Sequence, residues 1–277
     1  MGDPRAVRDD TADAHGREMR EGEASVTARR VAGYRLTFDR VATPYGDPAS
    51  DERLARDVTG SQIGGSPGSM TRYLAARTSF FDHVVVGALD RGVTQVVIAA
   101  AGYDGRSLRY AKPGVRWYEL DHPDTQRDKR SRLERLGVDT GPVSFVPADF
   151  TVDPIGDALV SEGYDPEVRS LFLCEGVAVY LDLPVLESLF DQLGHVATVG
   201  SRLAISLSVA ASAVEPGDRQ RFQDAVAALG EPARLVRTVY DSASLFAKTG
   251  WRVPALRDGD VLRRRARDAG FLIVERA

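Results

Sequence analysis

Apolar positions along this chain follow two periodicities. Short, nearly unbroken apolar runs bounded by turn-forming residues predict buried strands. They fall at Val96 to Ala99, at a run ending on Asp121, at Pro142 to Val146, Leu171 to Cys174, Arg202 to Val209, Trp251 to Ala255 and Phe271 to Arg276. Between them, apolar residues three and four apart predict amphipathic helices. The longest, Met70 to Asp90, puts Leu74, Phe81, Val84, Val85, Ala88 and Leu89 on one face and stops before Gly92. Others follow Pro123 and close at Gly137, run from Pro184 to Gly194 behind Asp182, run from Asp241 to Thr249 with Asp241 as cap, and cover Val261 to Ala269. Ahead of these, Ser25 to Arg40 is loosely helical in spacing, Thr43 to Asp51 is turn-rich, Glu52 to Val58 reads as a short helix, and residues 59–69 form a Gly/Ser-rich loop. Seven strands alternating with helices predict an α/β domain over residues 24–277, and the polar, aperiodic residues 1–23 read as a flexible tail. The direction of the last strand stays open at this level.

One unit organises the rest. The first strand runs into Ala100-Ala101-Gly102-Tyr103-Asp104-Gly105, a short helical segment follows, and after Pro113-Gly114 a second strand ends in Asp121. Strand, small-residue turn, helix, strand and acid make the plan of a nucleotide-binding βαβ unit. Small residues let the backbone turn sharply and approach a ligand, and an acid at the second strand end can accept both hydroxyls of a ribose. The 17 residues from Asp104 to Asp121 (121 − 104) are close to the roughly 20 expected of such units. A turn of this sort serves dinucleotides and S-adenosylmethionine alike.

Composition narrows the class. With 36 basic and 40 acidic residues spread through the chain, the net charge is −4, and no clustered basic footprint for nucleic acid stands out. The 43% hydrophobic content supports a sizeable core, no apolar run approaches the ~18 residues of a membrane helix, and no signal peptide is evident, so a soluble cytoplasmic enzyme is expected. A single cysteine, Cys174, rules out intramolecular disulfides and multi-thiolate metal sites; no metal is expected.

Several residues are candidates for chemistry. Arg77 lies on the helix before the first strand, where a solvated charge is the plain reading. Asp149, followed by Phe150, comes straight after the third strand; it reads as a turn carboxylate or cap, with an adenine amino group as the alternative partner. Glu175-Gly176 follows the fourth strand, at the edge where parallel strands converge on a ligand crevice. Cys174 reads as a buried small hydrophobe. Of the four histidines, His122 stands beside Asp121 and is the one placed as a candidate base.

Four patches, in order, resemble the leucine carboxyl methyltransferase family, specifically its bacterial S-adenosylmethionine-dependent branch. They are Arg72 to Asp82, Ala101 to Arg109, Tyr118 to Pro123 and Cys174 to Leu181, and the similarity extends from about Tyr34 to the end. The resemblance implies a class I methyltransferase (Rossmann-like) fold: a mostly parallel seven-stranded sheet with an antiparallel last strand, helices on both faces and helical lid elements at about 24–69 and 210–240. It implies that Arg77 pairs with the methionine carboxylate of S-adenosylmethionine, that Ala101, Gly102 and Asp104 line the methionine portion, and that Asp121 with His122 holds the ribose. Asp149 and Phe150 would reach the adenine, and Glu175 with Gly176 the methionine amino group. Two departures stand out: Ala100 replaces a common glycine, and Gly105 a usual Thr or Ser.

Methyl transfer is an in-line displacement at a sulfonium carbon, so alignment and desolvation are the main requirements. A carboxylate acceptor, with a pKa of about 4, needs no base, whereas a phenol at about 10 benefits from one. The expectation is therefore carboxyl O-methylation of a small-molecule, natural-product type acid, with Tyr180 and His122 as candidate catalytic residues and Tyr180 shaping the acceptor pocket. Alternatives are a hydroxyl or phenol acceptor, an NAD(P)-dependent oxidoreductase, and a non-catalytic binding protein. Oligomeric state, including a homodimer, stays open.

Overall fold

A computed structural model of the chain describes residues 25–60, 68–207, 217, 220–221, 224, 239–257 and 259–277. Among them, seven strands form one sheet in the order β3-β2-β1-β4-β5-β7-β6. These are β1 (Gln95–Ala99), β2 (Arg116–Asp121), β3 (Val143–Pro147), β4 (Ser170–Cys174), β5 (Arg202–Ser206), β6 (Trp251–Arg252) and β7 (Phe271–Arg276). The first five are mutually parallel, while β7 runs antiparallel to both β5 and β6. The direction that the last run left open is thus the one the family resemblance implies.

Helices cover both faces. They are α1 (Val26–Arg35), α2 (Pro48–Thr59), α3 (Ser69–Asp90), α4 (Arg106–Arg109), α5 (Pro123–Arg135), α6 (Ile155–Ser161), α7 (Leu183–Val196), α8 (Val239–Lys248) and α9 (Val261–Asp268). Strand alternation divides the core between the two faces. Val97, Ala99, Phe172 and Leu203 pack toward α6, α7 and α8, while Val96, Ile98, Leu171 and Ala204 pack toward Phe81, Val85 and Leu89 of α3.

Local chemistry explains where the elements depart from the sequence reading. Helix α2 begins at Pro48, not Glu52, because Asp47 accepts from the Ser50 N–H (3.0 Å) and Pro48 fits the first helical position; the residues read as a turn are a cap and a first turn. Helix α6 carries no clear apolar period, and its Gly156 lies so close to α7 that a Cβ there would sit 3.1 Å from Val196 Cγ1. The glycine that hides the helix in the sequence allows the close crossing. Helix α8 already begins at Val239, so Asp241 is inside it and is not its cap. Strand β6 stops at Arg252, short of Ala255, since Pro254 has no N–H to offer a ladder. Residues 61–67 of the Gly/Ser-rich loop, most of the segment at 210–240 and the tail lie outside the described residues.

Register brings the sites together. Ala99 pairs with Leu120 on one side and Cys174 on the other, and Asp121 pairs with Pro147. The turn after β1, the acid closing β2, Asp149 beyond β3 and Glu175 beyond β4 therefore share the carboxyl edge of the sheet.

Candidate functional site

The crevice is built on the turn after β1. Ala101 N–H donates to Leu120 O (3.0 Å), which stitches the turn to β2, and Asp104 N–H donates back to Ala101 O (2.7 Å). Ala100 adopts φ +56°, the one side-chain-bearing residue with positive φ among the described residues. The glycine common at this position is replaced, yet the backbone keeps a glycine's conformation. Gly102, at φ +48°, passes so close to α1 that a Cβ would lie 2.9 Å from that of Ala28. Gly105 has a similar reason. A Cβ there would fall 1.8 Å from Asp51 Oδ1, so the space of the expected Thr or Ser side chain is filled by a carboxylate from α2.

Asp121 closes β2 with both oxygens turned to backbone. Oδ2 accepts from Gly102 N–H (2.6 Å) and Oδ1 from His122 N–H (2.8 Å). Burial pushes this carboxyl up from 3.8 to about 6, against the pull of those two amides and of the Lys129 charge. His122 itself caps α5: its Nδ1 accepts from Asp124 N–H (3.4 Å). Asp149 makes a turn of its own, Oδ1 accepting from the N–H (2.8 Å) and hydroxyl (2.6 Å) of Thr151, while Phe150 packs half-buried on the core. Tyr180 lies half-buried in the turn between β4 and α7, its N–H on Val177 O (2.9 Å).

Glu175, beyond β4, is surrounded by cations. Oε1 meets Arg77 Nε and Arg35 Nη2, both at 3.1 Å, and Oε2 meets Arg106 Nη1 at 2.5 Å. Arg106 has no exposed surface and also donates to Asp82 Oδ1 (2.7 Å), Asp104 Oδ2 (2.5 Å) and Thr78 O (3.2 Å). Arg35 reaches Asp104 as well, at 3.3 Å. Burial alone would raise both carboxyls; Arg106 and Arg35, joined at Glu175 by Arg77, outweigh it and hold Asp104 and Glu175 below the ordinary range. Arg77 lies across Gly176, whose φ is +73° and whose Cβ would be 3.1 Å from Arg77 Nη1. Burial pushes the thiol of Cys174 up to about 12, as suits a small hydrophobe.

The network continues outward. Arg40 joins Asp82 (2.6 Å) to Asp51 (3.2 Å), and Arg109 joins Asp51 (2.5 Å) to Glu52 (3.3 Å), beside a polar cavity of about 230 Å³ that Arg35 also lines. The sequence does not single out Arg35, Arg40 and Asp51 as site residues, and Asp82, Arg106 and Arg109 appear there only inside motifs. Most of their partners are 24 or more positions away, and no spacing rule links them. Among the described residues no group of three or more His, Cys, Asp or Glu is placed to hold a metal ion, and no helix is long and apolar enough to cross a membrane.

Known proteins share this fold. A crystal structure of a DUF574 family protein from Streptomyces avermitilis superposes with a TM-score of 0.57 at 16% identity, over 94% of this chain and 100% of that one. Magnesium protoporphyrin IX methyltransferase from Synechocystis, solved with S-adenosylhomocysteine, gives 0.50 at 12% identity, over 83% and 95%. These likenesses show the fold. In sequence, a Mycolicibacterium gilvum protein named for S-adenosyl-L-methionine-dependent methyl transfer is 30% identical over 275 residues, 86% of each chain. A Mycobacterium bovis protein of the same designation is 32% identical over 197 residues, 69% of this chain, and the match spans 65% of that relative's length. The leucine carboxyl methyltransferase family model matches residues 24–194, and the chain therefore belongs to the leucine carboxyl methyltransferase family, whose cofactor is S-adenosyl-L-methionine.

Proposed function

We propose that this chain transfers a methyl group from S-adenosyl-L-methionine to a carboxylate oxygen of a small-molecule acid, forming a methyl ester. The residues at the carboxyl edge are of the kind the cofactor needs: Gly102 and Gly176 bring bare backbone to the edge, packed so closely that a Cβ would crowd Ala28 and Arg77, and Asp121 has acceptor oxygens beside Gly102. Bound there, the cofactor supplies an electrophilic methyl group on sulfur. The chain's own residues then orient and desolvate: Asp121 for the ribose, Arg77 for the methionine carboxylate, Ala101 and Asp104 for the turn, Asp149 and Phe150 for the adenine, Glu175 for the amino group. We also read α1 as part of the cover, because Ala28 rests on Gly102 and Arg35 reaches across to Asp104 and Glu175.

The observation that carries the carboxylate reading is the commitment of the titratable groups around the crevice. His122 uses Nδ1 to cap α5, Glu175 is held by three guanidiniums, and the Cys174 thiol is buried and raised. An ionised acid brings its own nucleophilic oxygen and asks nothing of these groups. Tyr180 shapes the acceptor side. The hydroxyl or phenol acceptor is the competing reading. The test incubates the protein and S-adenosylmethionine with matched panels of carboxylic acids and phenols and follows products by mass spectrometry. Methyl esters are expected; methyl ethers alone would overturn the assignment.

A further inference from the structure

Beneath the turn, meeting the network around Glu175 at Asp104, lies another buried ion pair. Lys129 of α5 is 1% exposed, and its Nζ donates to Glu119 Oε2 and to the backbone carbonyl of Asp104, both at 2.6 Å. Glu119 of β2 is equally buried; its Oε1 accepts from the Ser107 hydroxyl of α4 (2.6 Å), and its backbone carbonyl accepts from Gln126 Nε2 (2.8 Å). A buried Lys–Glu pair is a poor stability device, since the desolvation of two charges roughly offsets their attraction and apolar residues of similar volume serve as well. Its placement, however, is particular. One partner holds the carbonyl of the residue two beyond Gly102, and the other stands on β2 two residues before Asp121, on the same strand face.

We infer that Lys129 and Glu119 are positioning residues for the cofactor crevice, fixing the glycine turn against the strand that carries Asp121. Without that tie, Gly102 N–H and the Asp121 carboxylate would no longer be set at a fixed separation, although both side chains of the pair are buried beneath the turn. The inference rests on the cofactor reading given under the proposed function.

The experiment measures S-adenosylhomocysteine binding by calorimetry, together with thermal unfolding, in the wild type, in the double variant K129M/E119Q and in Glu119→Asp. The double variant removes both charges, while its new side-chain amide on β2 keeps an acceptor for Ser107. Glu119→Asp keeps both charges and draws the carboxylate back by one methylene. Each variant is expected to bind S-adenosylhomocysteine about tenfold more weakly, the order of loss that a displaced positioning group brings. The KM for S-adenosylmethionine should rise and kcat stay within about twofold. Wild-type affinity in either folded variant overturns the inference. Should the double variant not fold, Glu119→Asp decides alone by the same criterion. Failure of the wild type to bind S-adenosylhomocysteine defeats the cofactor reading instead, a different outcome from wild-type and variants binding alike.

Discussion

Asp121 and Glu175 close neighbouring arms of the same sheet, on either side of β1, and face opposite electrostatic surroundings. Among the described residues, Glu175 has three guanidiniums on its two oxygens, and Asp121 has two backbone amides and no side-chain cation in hydrogen-bond contact. One carboxyl is pulled below the ordinary range despite burial, and the other is pushed up to about 6 because of it. The contrast teaches how a crevice divides its labour. A carboxylate locked among arginines keeps its charge at any ordinary pH and organises α1, α3, α4 and β4 around it. A carboxylate facing only amides keeps its oxygens ready for neutral hydroxyl donors, at a cost in stability when ionised.

The heaviest blow to this contrast falls on its charged side. Arg106→Met leaves Asp82, Asp104 and Glu175 short of a shared partner in the interior and should destabilise the fold by about 3–5 kcal/mol. Unfolding followed by circular dichroism checks this; an unchanged midpoint would show that the network does not hold the fold. On the other side, Asp121→Asn exchanges one of two accepting oxygens for an NH2 that cannot accept from Gly102 or His122 N–H, so the midpoint should fall, by less than in Arg106→Met, and S-adenosylhomocysteine should weaken by about 1.5–3 kcal/mol through lost charge-assisted hydrogen bonds. Calorimetry reads it, and equal affinity would remove Asp121 from the ribose.

Acidity sharpens the comparison further. The Asp121 carboxyl is raised above its unfolded value, so its ionised form costs stability through the window from about pH 4 to 6, and the unliganded fold gains from this group as pH falls through it. Glu175 and Asp104 are depressed, so their contribution is fully present above their ordinary values and drains away only below them. Cofactor affinity should therefore drop as pH falls below about 6, before the fold weakens, and the drop should vanish in Asp121→Asn. The smallest effect concerns the turn between the two acids. Ala100 holds φ +56°, so Ala100→Gly should add about 0.5–1 kcal/mol, relief of the left-handed strain less the entropy that glycine brings. A denaturant melt decides it.

Much of this geometry was legible because it is local. The β1 turn and Asp121 follow from a contiguous apolar pattern, small residues and a short spacing, and α3, a 22-residue helix, from the apolar face between Leu74 and Leu89. The cap at Asp47 was visible in principle, but the turn-forming composition of residues 43–51 masked it. Helix α6 was hidden by Gly156, whose purpose appears only once α7 lies against it. The site divides the same way. Residues on strand ends could be placed by position alone, whereas the roles of Arg35, Asp51 and Asp82 depend on three-dimensional encounters between α1, α2, α3 and the turn. Gly105 is the clearest case: its missing side chain makes sense only beside Asp51, 54 positions earlier (105 − 51).

The placement of β7 between β5 and β6 has a consequence for how the chain is made. A ribosome delivers β6 first and β7 only after α9, yet among the described strands β6 pairs with β7 and with none delivered earlier. Until Phe271 to Arg276 have left the exit tunnel, β5 presents a bare edge, and Trp251 waits without the strand that pairs with it. A nascent chain of this protein therefore passes through a stage in which β5 and β6 both wait for the strand that lies between them.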